Sequence, residues 1–476
     1  MKKKYELFKA IMICFLVYVF LSWFIPAGSI SGTTVETSGG IAPVGLFGLF
    51  YYPLLTIATF IQYAAIIFAI GALYGVLNKT GVYGKLVKNT AKKFERKEKK
   101  FLIGIIVLFT VLSSVLGISY GLLVFVPLFV GILVAMGFTN ITALAATIGS
   151  ILVGSIASTY GLGSATQVVN VLGLKMNDNI LPKFAFLVIV LVLYVVFIVG
   201  KKSSVVEKKG KLLKKENKNL VIPFVDDEKE SSKNIKPLVI MLVFLAILLF
   251  LSMTNWKFMF GVELFDNFYK QLEDIKVNNL SVVTKILGTT NAFGYWTSYE
   301  LSALLVIFSF VIGWIYNLGL NGTLEGMKDG ALKVIKPAFL ISLGSIIFTM
   351  MLVGSGTTIF TTIAGKLLAL TKGFNFATTS VVGLLTGFFY NDMYYGLSAI
   401  NGLFTDFGSD YLPIIGFILQ SMFNLVMLIC PTSLILLSGL SMFDVSLKDW
   451  FKYIFKFVVE LLVIVLAISI ILVLMV

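Results

Sequence analysis

Asp392 is the only charged side chain between Lys372 and Asp406, and it stands beside Asn391 with Tyr390, Tyr394 and Tyr395 around the pair. A lone carboxylate in an apolar stretch can carry a proton, bind sodium or hold an ammonium group. Placing a charge at the centre of a bilayer costs about 2.5 to 3.5 kcal/mol, so a membrane-buried Asp392 is a functional residue by default. The alternative is a solvated surface aspartate. The other chemistry-bearing residues are hydroxyls clustered where the apolar pattern breaks. Ser113, Ser114 and Ser119 interrupt one stretch, and Ser158, Thr159, Ser164 and Thr166 lie along the glycine-rich run from Ala157 to Gln167. Thr432 and Ser433 follow Cys430-Pro431. Serine and threonine cap restarting helices, glycine weakens a helix by roughly 1 kcal/mol relative to alanine, and Pro431 has no amide to donate to the helix before it. A restarted helix turns its first amides toward the break, which suits a carboxylate. The half-helix before it ends in free carbonyls, which suit sodium. These ten residues, Asn391 among them, are therefore the expected substrate contacts, with Asp392 and Asn391 as coupling-ion ligands. The plainer reading is that the hydroxyls bond their own backbone or tighten helix packing.

The elements that position them must lie in a membrane. A chain of 476 residues that is 58% hydrophobic and 13% charged, with mean hydropathy +0.97, is not an ordinary soluble domain. No charge interrupts Phe101 to Leu174. The net charge of +14 is almost all lysine, with Arg96 the single arginine, and reads as compositional bias rather than nucleic-acid binding. With no histidine and only Cys14 and Cys430, neither a disulfide framework nor a His/Cys zinc site is expected. An enzyme would need a nucleophile, a base or a metal cluster, and the sequence offers no paired intramembrane carboxylates; no cofactor is expected beyond Na+ or H+ as coupling ion.

A transmembrane helix takes about 20 mostly apolar residues. Nine spans are expected: Phe8–Ala27, Leu54–Leu77, Ile141–Tyr160, Leu181–Gly200, Pro237–Met253, Tyr299–Tyr316, Leu332–Val353, Tyr411–Cys430 and Asp449–Leu474. The first resembles a signal peptide without a clear cleavage site and is expected to stay as an anchor. Residues 101–136 and 374–407 each suit two short helices around a break. They read as re-entrant hairpins, tolerated at that depth only when protein or a wet cavity surrounds them; the alternative is a pair of short tilted spans. Residues 141–173 and 411–440 read as broken helices. The expected fold is an all-α polytopic membrane protein.

Lysine placement sets the orientation. Lys2, Lys3, Lys4 and Lys9 put the N-terminus in the cytoplasm, as do the basic stretches Asn78–Lys100 and Lys201–Lys236, whereas Gly28–Pro53 has no lysine. The chain also repeats itself in order. Gly84-Lys85-Leu86 recurs as Gly365-Lys366-Leu367, Tyr120-Gly121-Leu122 as Tyr395-Gly396-Leu397, and G-L-x-M-x-D-x-x-L begins at both Gly173 and Gly439. This register pairs Thr166 with Thr432. Lysine counting brings the first hairpin in from the cytoplasm and the second from outside, so the repeat is inverted. A parallel pairing of Phe68, Ile70, Gly71 and Tyr74 with Phe310, Ile312, Gly313 and Tyr316 rests on one local match and is rejected. The domains are then 1–200, a linker 201–298 with a connecting helix, and 299–476.

The run from Pro431 through Leu440 to Trp450, with Leu77-Asn78-Lys79-Thr80-Gly81, resembles the anaerobic C4-dicarboxylate carrier family of the ion-transporter superfamily, which includes arginine/ornithine-antiporter-like members. The resemblance implies a secondary transporter in the bacterial inner membrane. Its ligand would be a small organic acid or amino acid, coupled to sodium or protons or exchanged, and a homodimer is an open option. One departure matters: the family leads one to expect Ser/Gly/Pro-rich tips, whereas this second tip is Asn391-Asp392 among tyrosines. The rival readings are a channel and a non-transporting membrane subunit.

Overall fold

A computed structural model describes residues 5–37, 40–161, 163–200, 223–225, 232–277, 280–288, 290–353, 357–371 and 373–476. It is helical almost throughout, as hydrocarbon demands when every backbone group must be satisfied within its own segment. Among the described residues seven helices are long and apolar enough to cross a membrane. Among the described residues, strand is confined to two small antiparallel ribbons, one of β1 (Ser29–Ser31) with β2 (Thr34–Glu36) and one of Lys276–Val277 with Leu280–Ser281. The chain is thus an all-α polytopic membrane protein.

In chain order the first part contains α1 (Glu6–Ser22), α2 (Gly48–Thr59), α3 (Ile61–Lys79) and α4 (Val82–Lys93). Then come α5 (Glu98–Val111), α6 (Ser119–Leu123), α7 (Val126–Ala135), α8 (Asn140–Leu144), α9 (Ser150–Ile156), α10 (Ser164–Leu172) and α11 (Ile180–Gly200). The connecting helix is α12 (Lys236–Met253). The last part has α13 (Ser298–Ile315), α14 (Gly319–Lys333), α15 (Ile335–Leu343), α16 (Ile346–Val353) and α17 (Ile359–Leu368). It closes with α18 (Phe376–Phe389), α19 (Met393–Ser398), α20 (Leu412–Met427), α21 (Leu434–Met442) and α22 (Leu447–Leu474).

Contacts define two ends of the bundle. At the N-terminal end Glu6 Oε1 accepts the Lys448 amide at 3.0 Å, and Tyr5, Ile335 and Asp444 line one cavity. At the far end Gly28 and Thr358 exchange both backbone hydrogen bonds, at 3.0 and 2.9 Å. The first hairpin leaves at the N-terminal end, where Asn140 Nδ2 donates to Phe443 O at 3.5 Å. Its arms face each other through Phe109 and Phe129, ring centroids 5.5 Å apart, and α7 returns to pack on α4. The second hairpin has its base at the far end. Phe374, Asn375, Asp406 and Phe407 share one cavity there, and Gly402 packs on Ile30 of β1. Both stretches expected to be re-entrant therefore return to the end they left, and they enter from opposite ends.

The broken helices also run oppositely. The path α8–α9–α10 goes from the N-terminal end to the far end; α20–α21 begins beside Phe374, which stacks on Tyr411 at 5.0 Å, and finishes at Phe443. Two five-residue π turns, Leu112–Leu116 and Ala145–Gly149, loosen the first hairpin and the first broken helix, as π-bulges do near functional sites. Across the molecule α3 meets α14 at a glycine crossing, with the Lys79–Glu325 ion pair at 2.6 Å beside it. A Cβ on Gly75 would lie 2.1 Å from Gly326 O, and one on Gly330 would lie 1.9 Å from Gly71 O. Small residues let membrane helices approach to backbone contact.

Four expectations are corrected. The span Leu54–Leu77 is broken at Phe60, between α2 and α3, and Leu332–Val353 keeps one apolar span, Ile335–Val353, but turns within it at Gly344-Ser345. Further helices, among them the basic α4, the charge-balanced α14, and α17, lie outside the nine spans. The first two sequence matches occupy corresponding places, before each hairpin and just past each tip, but the third does not. Gly173 ends α10 with φ 65°, whereas Gly439 lies inside α21. Thr166 therefore sits in the first turn of α10 and Thr432 in the break before α21, so the two are not equivalent. Most of the basic linker expected at 201–236 lies outside the described residues.

Candidate functional site

The first hairpin tip is held against the first helix break by hydroxyls. Ser113 Oγ donates to Ile151 O at 2.7 Å and lies 3.2 Å from Ser119 Oγ and 3.3 Å from Ser155 Oγ. Ser114 Oγ donates to Ala157 O at 2.5 Å, and the Thr159 amide returns a bond to Ser114 O at 3.1 Å. Side-chain size sets how close they come. A Cβ on Gly161 would lie 2.1 Å from Gly117 N, so the tip and the break touch as bare backbone. Within the break Ser158 Oγ accepts the Ala165 amide at 3.4 Å and Thr166 Oγ1 donates to Gly161 O at 2.7 Å. Ser113, Ser114, Ser119, Ser158 and Thr159 are thus brought together, with Thr166 at the rim of the same break.

Two residues missed in the sequence complete this site. Gln420 and Asn424, one turn apart on α20, reach from the second broken helix into the first. Gln420 Nε2 donates to Ser158 O at 2.7 Å and Asn424 Nδ2 to Ser164 Oγ at 2.8 Å. Gln420 Oε1 is buried and accepts no hydrogen bond among the described residues. Leaving such an acceptor unsatisfied costs about 1 to 3 kcal/mol, which makes it a place for a donor or a cation. The signal was present: two amide side chains four residues apart in the stretch Leu412–Met427, whose only other polar side chain is Ser421. Lys183, buried near the start of α11 with Asp178 within electrostatic reach, was also missed.

The second tip is built differently. Asn391 Nδ2 donates to Ser345 Oγ at 2.6 Å, in the gap between α15 and α16. Asp392 caps α19, accepting the Tyr394 amide at 2.9 Å and the Tyr395 amide at 3.5 Å. Its charge reaches Tyr63 of α3 and Tyr120 at the first tip, whose rings stack at 5.6 Å. Phe60, Phe348 and Tyr395 continue the aromatic line, with Phe60–Phe348 centroids at 5.4 Å and Phe348–Tyr395 at 5.1 Å. The two tips therefore approach each other across aromatic rings, and α19 packs on α10.

The remaining pair stands apart. Thr432 and Ser433 are buried in the break before α21, where Thr432 Oγ1 lies 2.9 Å from Cys430 Sγ. The described hydrogen bonds join neither to the cluster around Ser158. Chemically, the arrangement offers hydroxyls, an open carbonyl and helix-start amides at one break, and a capped carboxylate among rings at the second tip.

The sequence profile of the C4-dicarboxylate anaerobic carrier family (DcuC) matches residues 52–391. No curated protein matches the chain. Solved structures that resemble it include two transporters. MtrF of Neisseria gonorrhoeae, described within a class of antimetabolite efflux pumps, is 13% identical over 97% of this chain and 93% of its own, with a TM-score of 0.40. The YdaH transporter of Alcanivorax borkumensis, described as having an unusual topology, is 12% identical over 98% and 96%, with a TM-score of 0.36.

Proposed function

Since this chain belongs to the C4-dicarboxylate anaerobic carrier family, we propose that it is a secondary active transporter moving a small carboxylate-bearing metabolite by alternating access, driven by sodium or protons or by exchange. The observation that carries the reading is the Gln420–Ser158 contact, in which the second broken helix supplies an amide to the first and leaves Oε1 open. A carboxylate would take the hydroxyls and helix-start amides around Ser158, Thr159 and Ser164, and a cation would satisfy Gln420 Oε1. The domains 1–200 and 299–476 would be the units that move. The membrane would be the bacterial inner membrane, with the N-terminal end of the bundle in the cytoplasm.

A second reading of the substrate has its own support. Asp392 has already taken the first amides of α19, so this tip is a poor anion site, while the rings of Tyr63 and Tyr120 lie within reach of its charge. A carboxylate with tyrosine faces nearby suits an ammonium group through charge and cation–π attraction. An amino acid would then span both tips, whereas a dicarboxylate would need a cation between itself and Asp392.

The test is uptake by the purified protein in proteoliposomes, with separate panels of C4-dicarboxylates and amino acids under separate sodium and proton gradients. We expect saturable uptake of one panel that follows one gradient or a counter-substrate. Conductance uncoupled from any gradient would favour a channel, and no uptake above leak for either panel would remove the reading.

A further inference from the structure

A cleft of about 380 Å³ runs between the first hairpin and α12. Its walls are side chains such as Leu112, Phe125 and Phe129 on one side and Leu242, Ala246 and Phe250 on the other, and Leu86 and Thr90 of α4 close its end. It is almost wholly apolar and opens sideways, since the lining residues Leu108 and Val243 are exposed. Along α12 the lining runs from Val239 to Phe250, a rise of about 17 Å, which is close to one leaflet of a hydrocarbon core about 30 Å thick. At the tip end the hairpin touches α12, where a Cβ on Gly121 would lie 2.8 Å from Met253 Sδ. The other end is basic. Lys93 follows Leu86 and Thr90 on the same face of α4, Lys92 and Lys93 are exposed, and Lys85 adjoins Leu86.

We propose that this cleft is a binding site for an anionic phospholipid of the leaflet at the N-terminal end, its acyl chain between hairpin and α12 and its headgroup on the lysines of α4. An empty apolar slot forfeits dispersion contacts on both walls, and an acyl chain restores them. A basic helix at its mouth selects the headgroup's charge. The hairpin arm that forms one wall is tied on its other side, where Tyr74 Oη donates to Val124 O at 2.8 Å. The lipid therefore acts as a wedge that fixes the hairpin against α12, and this holds whatever the transported substrate is.

The experiment is native mass spectrometry of the full chain released from vesicles of phosphatidylcholine with or without phosphatidylglycerol. The wild type should retain phosphatidylglycerol in preference to phosphatidylcholine. Neutralising Lys85→Gln, Lys92→Gln and Lys93→Gln should reduce that preference by roughly fivefold per lysine. Ala246→Trp, which fills the slot, should abolish retention of both lipids. Equal retention of the two lipids by the wild type would overturn the proposal, and so would unchanged retention in Ala246→Trp. Disulfide crosslinking of Val243→Cys between two copies would assign the cleft to a dimer contact instead. The lysine variants lie on a solvated helix face and keep the proposal open to refutation if Ala246→Trp does not fold.

Discussion

At the scale of single residues, Asp392 and Gln420 divide the work and can be separated by substitution. In Asp392→Asn the remaining amide oxygen can still accept from Tyr394 and Tyr395, so α19 keeps its cap while the charge is lost. If Asp392 carries the coupling proton, gradient-driven accumulation should disappear while exchange survives. If it holds a substrate ammonium, both should fail and affinity should fall. Accumulation, affinity and pH dependence all equal to wild type would make it a surface aspartate. Gln420→Leu removes the donor to Ser158 O but also the unsatisfied Oε1. The two changes oppose each other at about 1 to 3 kcal/mol apiece, so the thermal midpoint should stay near wild type while uptake falls at least tenfold, roughly the worth of one lost hydrogen bond to bound ligand. Uptake at the wild-type rate would return Gln420 to a packing role. Asp392 was legible because a lone charge in an apolar run is conspicuous. Gln420 and Asn424 were not read because they are neutral, and their partners Ser158 and Ser164 are about 260 residues away in the chain.

At the scale of elements, the contact between the first hairpin tip and the first break depends on the missing side chain of Gly161. Gly161→Ala would place a methyl 2.1 Å from Gly117 N and 2.2 Å from Leu116 C, both backbone. The tip must then withdraw, at an overpacking cost of about 1 to 3 kcal/mol. Uptake should fall more than the thermal midpoint does, since the Ser114–Ala157 and Ser114–Thr159 contacts are lost with it; normal uptake would show that the tip is free to move from the break. The hairpins and breaks were legible because glycine, proline and hydroxyl clusters interrupt long apolar runs. The break at Phe60 and the turn at Gly344-Ser345 were not. Phe60 carries no local signal of a break, and one Gly-Ser pair in an apolar helix is common in membranes. The four-residue slip between Thr166 and Thr432 has a similar cause, because Gly and Leu are frequent enough to align a helix end with a helix interior.

At the scale of the whole molecule, the opposed hairpins predict sidedness. A cysteine introduced between Lys201 and Lys236 should react only with a reagent applied from the cytoplasm, and one near Gly261 only from outside; labelling of both from one face would break the inverted arrangement. The glycine crossing of α3 and α14 joins the two proposed moving units, with Gly71 and Gly75 on one side and Gly326 and Gly330 on the other. No smaller residue exists, so this crossing has nowhere to drift: any single change enlarges it, and no change in the facing helix can compensate by shrinking. Relatives that hold these helices at this spacing must keep Gly71, Gly75 and Gly330, where an added Cβ would meet its nearest atom at 2.4, 2.1 and 1.9 Å; at Gly326 the nearest atom is 3.1 Å away. A relative with alanine or serine at any of those three must have spread α3 from α14, and its range of motion should differ for that reason alone.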